Sequence, residues 1–483
     1  MSALRRSTVR RSISVVGATA TIVVVVIVGA SPASAAPGTP GVMGSPAVVL
    51  YEGFDAPTPP ATADFVQTIA DYDDGVAAPV PGYVGRNGQQ YRADPAWNGQ
   101  FCNGLIVSRD DVDTVPVASQ AVACQQSGWN QSRDLAETLG LWAADPDYPY
   151  PAVPRPAPTA NRAVSSYTQG DSPAGVMAAT TVPVIVGHYY TATVDVAQAN
   201  CWATNPVDLS LQLDDGVSPP VVPFPGPISA CALPVHQING DNVGTFSGVT
   251  SLLARSATLE LSLRNNLGGG GGDDNAFDNL ALIDTTPQLD AVIAPPPDGA
   301  SYAAGQTARL VFTVTNTHFA GAPTVPSGPK PGWNFALPLP PGLRAAERPN
   351  VETDCLGGTI GATASVVAGS GNLDGDDASC SLALDLASSG GEYTLDPAAY
   401  ALTGLLTPAP TTVSFAAIPT PFAPPTPAST PTPTGGGSLA ASGAEPLPWM
   451  LAGALSLALG AALILSSLDG GRYRSAKRRR TEP

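Results

Sequence analysis

The sequence predicts an all-β protein whose folded part lies between two apolar ends. Three observations predict it. First, 50 glycines and 51 prolines in 483 residues exceed the usual share. Much of this proline is scattered, which interrupts helices and suits short strands joined by turns. Second, Tyr189 to Val196, Leu209 to Leu213 and Thr258 to Leu263 alternate apolar and polar side chains. Such period-two alternation buries one face and wets the other, as in antiparallel sheets packed face to face. Third, a Pro/Thr/Gly run at 418–438 leads into an apolar stretch and a basic cluster, which marks where the folded part stops.

In chain order, Arg5, Arg6, Arg10 and Arg11 precede an apolar stretch from Ile13 to Ala30, and Ala33-Ser34-Ala35 is a small-x-small cleavage site. Residues 1–35 therefore read as a signal peptide, with a retained N-terminal anchor as the alternative because the apolar core is long. Residues 36–47 are expected to be flexible. The first folded region, 48–285, opens with the short strand Val48-Val49-Leu50-Tyr51-Glu52 and closes with Phe277 to Asp284. Between them, roughly 60–180 is irregular, and Arg133 to Ala143 is the one helical stretch, with Leu135, Leu139 and Leu141 to pack on a sheet. The second region, 286–417, carries Ala308 to Thr317, Gly332-Trp333-Asn334-Phe335 and Leu339-Pro340-Pro341-Gly342-Leu343. Trp333 is expected as a core or rim anchor. The linker 418–438 builds no core; as polyproline II, at about 3.1 Å per residue, it would extend by roughly 60 Å. The run from Leu447 to Leu468 is long enough to cross a roughly 30 Å hydrocarbon core as a helix. The basic residues at 472–480 beyond it favour a cytoplasmic C-terminus.

Three resemblances attach to these stretches. Leu439-Ala440-Ala441-Ser442-Gly443, the apolar span and the basic tail together resemble a Gram-positive cell-wall sorting signal. In that family a sortase cuts before the final Gly of an LPxTG or, in actinobacteria, LAxTG motif and joins the chain to peptidoglycan. Here Ser442 stands in the threonine position and keeps the hydroxyl without the methyl group. The alternative is an ordinary membrane tail. Either way the resemblance implies a surface protein, with sortase and peptidoglycan as partners and the membrane holding the C-terminal helix before or instead of sorting. Region 48–285 resembles the galactose-binding-like or lectin-like jelly rolls, which bring first and last strands side by side and often carry calcium where they meet. On that resemblance Glu52, Asp55, Asp273, Asp274, Asn275 and Asp278 would supply the oxygen ligands of a structural calcium. Region 286–417 is similar to the Ig-like β-sandwich repeats of actinobacterial surface proteins. It departs from them at Leu337-Pro338-Leu339-Pro340-Pro341, where proline points to an edge strand or loop.

The expected architecture is thus a jelly-roll-like β-sandwich, an Ig-like β-sandwich, a linker and one C-terminal transmembrane helix. The formal net charge is −17 and the basic residues crowd at the two ends, so neither nucleic acid nor an anionic membrane suits the exterior part. With only Lys330 and Lys477 in the chain, at most one Lys–Asn isopeptide bond could form outside. Six cysteines in an exported chain favour disulfides. They allow 15 pairings, of which the adjacent one, Cys102/Cys124, Cys201/Cys231 and Cys355/Cys380, is expected. His188, His236 and His318 are isolated, and neither HExxH nor GxSxG occurs. No catalytic residue is assigned. The function expected is non-enzymatic surface binding or adhesion, with a glycan or protein ligand met by the aromatics Tyr83, Tyr91, Trp97, Phe101 and Trp129. A purely structural wall protein and a secreted carbohydrate-active enzyme are the alternatives.

Overall fold

The computed structural model describes residues 38–417, apart from 57–60, 63–64, 74–78, 117–123, 151–154, 168–172, 202–206, 233–235, 269–273, 298, 300 and 320–321. The signal peptide, linker, sorting pentapeptide, apolar span and basic tail read from the sequence lie outside the described residues, as does Asp273. Among the described residues no helix is long and apolar enough to cross a membrane.

The alternating segments form strands, and their apolar faces meet. The first strand, Ala47–Glu52, pairs antiparallel with Asn275–Asp284, Glu52 standing opposite Leu280. Asn275–Asp284 in turn pairs with Tyr189–Gln198, which pairs with Asp241–Ser247, so these three strands are the middle of a nine-stranded sheet. Facing it is a three-stranded sheet in the order Gly175–Pro183, Thr258–Asn265, Leu209–Asp214. Leu209, Leu211 and Leu213 with Leu259, Leu261 and Leu263 point from that sheet onto Val194, Val196, Phe277, Leu280 and Leu282. Each of those side chains is excluded from water, and full burial of one is worth about 1.5–3 kcal/mol.

The helix spans Gln126–Ala143, seven residues earlier than its apolar spacing suggested. Its first turns are polar in sequence, yet Trp129 is buried there and donates its indole N–H to the Val112 carbonyl at 2.9 Å. Trp129, Ala136, Leu139, Trp142 and Ala143 make the stripe that covers Ala197, Val243 and Ala276 on the outer face of the large sheet. Leu135 and Leu139 pack as expected, whereas Leu141 is only half-buried. Because both faces are covered, every residue of Tyr189–Gln198 and all but the last of Asn275–Asp284 are buried. Polar side chains on the helix-covered face are therefore enclosed.

The second region forms its own sandwich and core. One sheet runs Gln288–Ile293, Thr307–Thr315, Ser379–Ser388, Leu343–Ala345; the other runs Leu356–Ala362, Val366–Leu373, Lys330–Pro338, Ala401–Thr403. Trp333, Phe335 and Leu337 pack against Leu310, Phe312, Val314, Leu382, Leu384 and Leu386. Trp333 is a fully buried core anchor. The proline-rich departure at 337–341 agrees with the expectation of an edge strand or loop. Lys330–Pro338 has neighbours on both sides only over Asn334 to Ala336; Leu337 and Pro338 are paired on one side, and 339–341 are loop. A proline is tolerated at that end because no second strand asks for its missing N–H.

The sandwiches touch through backbone and small residues. Tyr189 donates its hydroxyl to the Pro331 carbonyl at 2.6 Å, and the Gly404 N–H donates to the Gly187 carbonyl at 2.6 Å. Gly328 has φ +91° and lies so close to the Val249 carbonyl that an added Cβ would overlap it. Before entering the first sandwich, the chain crosses the second: Gly41 N–H reaches Thr315 Oγ1 at 2.9 Å, and His318 N–H reaches the Gly44 carbonyl at 3.1 Å.

Candidate functional site

The junction of the first and last strands gathers four carboxyl groups with their donors. Glu52 is buried and accepts from the Tyr83 hydroxyl at 2.8 Å and from the Phe54 N–H at 2.9 Å. Asp195 and Asp278 stand directly opposite each other across the central strands, both fully buried on the helix-covered face. Asp195 accepts from Tyr148 at 2.7 Å, Thr245 at 2.5 Å and Asn279 at 2.7 Å. Asp278 accepts from Asn161 at 2.9 Å and from the Asn279 N–H at 2.6 Å. Asn279 itself takes φ +51° at the irregularity in the pairing, and the Tyr51 hydroxyl bonds its side-chain oxygen. Asp55, just beyond the first strand, accepts from the Arg162 N–H at 3.0 Å.

Burial raises the pKa of all four, because a low-dielectric site disfavours the charged form. Asp55 is pushed up to about 6, although the Arg162 N–H and the Arg86 and Arg162 charges pull it back. Asp195 is also pushed up to about 6, against the pull of its three donors. Asp278 is raised well above the usual carboxylate range by burial and then by the Asp55 charge. Glu52 is raised by burial, with Tyr83 opposing.

Asp55 opens onto a surface depression of about 260 Å³ lined also by Arg86, Arg155, Pro156, Ala160 and Arg162. Arg162 pairs with Asp111 at 3.3 Å, leaving its second terminal nitrogen, Nη1, buried without a hydrogen-bond partner. Arg155 lies 3.9 Å over the Tyr148 ring and donates to the Ala143 and Tyr150 carbonyls, while its Nε has no partner. Arg86 is exposed and, among the described residues, has no carboxylate within ion-pair reach. None of these three arginines stood out in the sequence.

The expected calcium ligands are not assembled at one point. Glu52 turns into the core toward Tyr83, and each Asp278 oxygen already accepts from an amide N–H. Asp274 precedes the strand start, about 13 Å along the chain from Asp278, and lies 3.4 Å from Asn200. Asn275 pairs in register with Gln198 and Ser166, on the far side of Asp278 from Glu52. Among the described residues, no three of Glu52, Asp55, Asp274 and Asp278 bring carboxylate oxygens within 4.8 Å of one another. The guanidinium groups around Asp55 further disfavour a cation there.

The aromatic ligand platform also needs correction. Tyr83, Tyr91, Trp97 and Trp129 are 0–6 % exposed and belong to the two cores of the first sandwich. Tyr83 and Tyr91 pack on Phe54, with ring centroids 5.6 and 5.7 Å away. Phe101 is half-buried at φ +50°, next to the disulfide. Aromatic rings bury enough area that an irregular loop folds inward around them.

The three cysteine pairs are disulfides as expected: Cys102–Cys124, Cys201–Cys231 and Cys355–Cys380, with Cα separations of 4.7, 5.3 and 4.9 Å. Gly128 leaves room for the first, since an added Cβ would sit 3.0 Å from Cys102 Sγ. Asp354 is the third member of a group with Cys355 and Cys380 that resembles a metal site by spacing. The disulfide leaves no thiolate there to ligate an ion.

No family model matches this chain, and no curated protein is similar to it. Among solved structures, the N-terminal domain of the Streptococcus gordonii adhesin Sgo0707 is 12% identical over 50% of this chain, with a TM-score of 0.22. The chain spans 60% of that domain's length. A structure called BspA_C_mut is 9% identical, covering 52% of this chain and 95% of the other, with a TM-score of 0.18. A Paenibacillus sp. cycloisomaltooligosaccharide glucanotransferase, complexed with cycloisomaltoheptaose, is 10% identical over 46% of this chain and 44% of its own, at a TM-score of 0.14. Likenesses this distant carry no argument about function.

Proposed function

We propose that the chain is a non-enzymatic cell-surface protein that is displayed from the cell wall and binds an extracellular ligand. The observation that carries the binding part is the depression beside Asp55, where three arginines converge in a chain of net charge −17. Arg86 there is exposed with no ion-pair partner among the described residues, so its guanidinium is open to a ligand from solvent. Display from the wall rests on the resemblance of residues 439–480 to a sorting signal, and the three disulfides accord with an oxidising exterior. Catalysis by the Asp55 and Asp278 pair is disfavoured because Asp278 is fully buried and both its oxygens accept hydrogen bonds.

The test has two parts. The full chain is screened against glycan and extracellular-protein arrays, where a specific ligand supports the reading and a blank result on both overturns the binding part. Muramidase digestion of the producing cells should release a species ending at Ser442 and joined to a peptidoglycan fragment. Quantitative detergent extraction of a chain retaining residues 443–483 would replace the wall anchor with a membrane anchor.

A further inference from the structure

One edge of the second sandwich is left open. Leu356–Ala362 closes one side of its sheet and is paired only with Val366–Leu373. Among the described residues, the backbone of Thr359–Ala362 has no hydrogen-bond partner beyond that neighbour. Other long edges are covered over part of their length. Gly175–Pro183 receives the Arg92 and Asp94 N–H groups, Leu209–Asp214 bonds Val221 and Ile228, and Gln288–Ile293 meets Leu406. An unpaired strand presents N–H and C=O groups as a template for another strand, and charge, proline or shortness normally blocks it. Here residues 355–373 contain no charged residue and no proline. An irregularity between Leu356 and Thr359, with Gly357 at φ +60°, bends only the first residues of the strand. The sheet face that the edge borders is neutral too. Asn334, Ser370 and Thr359 lie in one cross-strand row and Ala336, Ala368 and Gly361 in another, all exposed or half-buried.

We infer that this edge pairs with the same edge of a second copy of the chain, Thr359–Ala362 running antiparallel to its counterpart so that two four-stranded sheets become one continuous sheet. The inference does not depend on a ligand at the Asp55 depression. Charge selects the occupant. A chain of net charge −17 meets its own copy against repulsion, and a neutral edge beside a neutral face lets two copies approach without setting like charges opposite. The segment that follows the sandwich, 418–434, is dense in proline and so lacks N–H groups that a ladder needs. A contact of about four residues a side, against roughly 20–30 in a stable interface, makes the pairing reversible. The test is analytical sedimentation of the full chain in detergent over a range of concentration. Dimer should be measurable by about 100 µM. Gly361 is the position to vary, since a Cβ there meets nothing within 4 Å and its φ is not in the left-handed region. Gly361→Lys should weaken the dimer at least about 10-fold, because the two copies then bring ammonium groups together at the edge. Gly361→Val should keep or tighten it, since a side chain stands perpendicular to the sheet and valine favours strands. Both variants should melt as the wild type does. A monomer at every concentration overturns the inference and leaves the edge to a strand of another protein. A dimer that Gly361→Lys leaves unchanged overturns it too, because the contact then lies elsewhere. Equal loss of dimer with valine and lysine would overturn pairing through the strand edge.

Discussion

Asp195 and Asp278 face each other across two strands that are covered on both sides. Like charges directly opposite are destabilising; burial and the Asp55 charge push Asp278 up, toward its neutral form, and Asp195 is held by three donors. The sign of the pH dependence follows. Asp195 has a folded pKa of about 6 against an ordinary 3.8, so folding favours its protonated form. Its contribution is fully present below 3.8 and is lost as pH rises through about 6. The loss is of order 3 kcal/mol. The melting temperature is therefore expected to fall between about pH 4 and 7, and Asp195→Asn should flatten that fall. Equal slopes in variant and wild type would show that general repulsion in an acidic chain is responsible instead. Lys330 behaves oppositely in a separate window. It is fully buried, donates to the Ser327 and Gly328 carbonyls, and burial lowers it to about 7. Its contribution is present above 10.5 and is lost as pH falls through about 7. Denaturant midpoints of the wild type should thus rise from about pH 7 to 9, and those of Lys330→Met should not.

At the next scale, the helix and the disulfides hold parts of the chain that have few strands. Trp129 fixes the start of Gln126–Ala143 by filling the core over the large sheet and bonding Val112. Trp129→Ala should cost about 3–5 kcal/mol, read as a shift in denaturant midpoint. In the second sandwich, Cys355–Cys380 ties the loop before Leu356–Ala362 to the central strand Ser379–Ser388. Removing both cysteines should cost about 2–5 kcal/mol, whereas removing them should leave the melting of the first sandwich unchanged if the two cores unfold separately. Calorimetry of the double variant measures both quantities at once.

Across the whole described molecule, the contact between sandwiches is made by backbone rather than by a broad apolar surface. Gly328 allows the approach to Val249, and Tyr189 reaches across to Pro331. A Cβ at Gly328 would meet a carbonyl and would also strain a φ of +91°, which only glycine adopts freely. Gly328→Ala combined with Tyr189→Phe should loosen this contact while leaving each core intact. The expected result is a wider spread of dimensions by small-angle scattering and two resolved melting transitions. A single unchanged transition would show that the crossing of residues 38–46 over the second sandwich is sufficient to couple them.

Much of the strand content was legible because alternation is a local property: Leu209 to Leu213 states its buried face within five residues. The cysteine pairing was legible for a similar reason, since partners only 22 to 30 residues apart close short loops. The start of the helix was not, because its polar first turns are held by Trp129 and by contacts to residues near 112. The aromatics read as a ligand platform were misplaced because burial belongs to tertiary contacts. Tyr83 is inside because Glu52, 31 positions earlier, and Phe54 meet it there. The candidate site depended most on tertiary structure. Arg86 comes from one loop and Arg155 and Arg162 from the connection between the helix and strand Ala163–Ser166, and tertiary contacts bring them around Asp55. The sequence by itself determined the β class, the alternating faces and the disulfide framework, since each is encoded by neighbours along the chain. Tertiary structure alone decided which polar groups are enclosed and which arginines converge, because desolvation and charge proximity depend on distances through space.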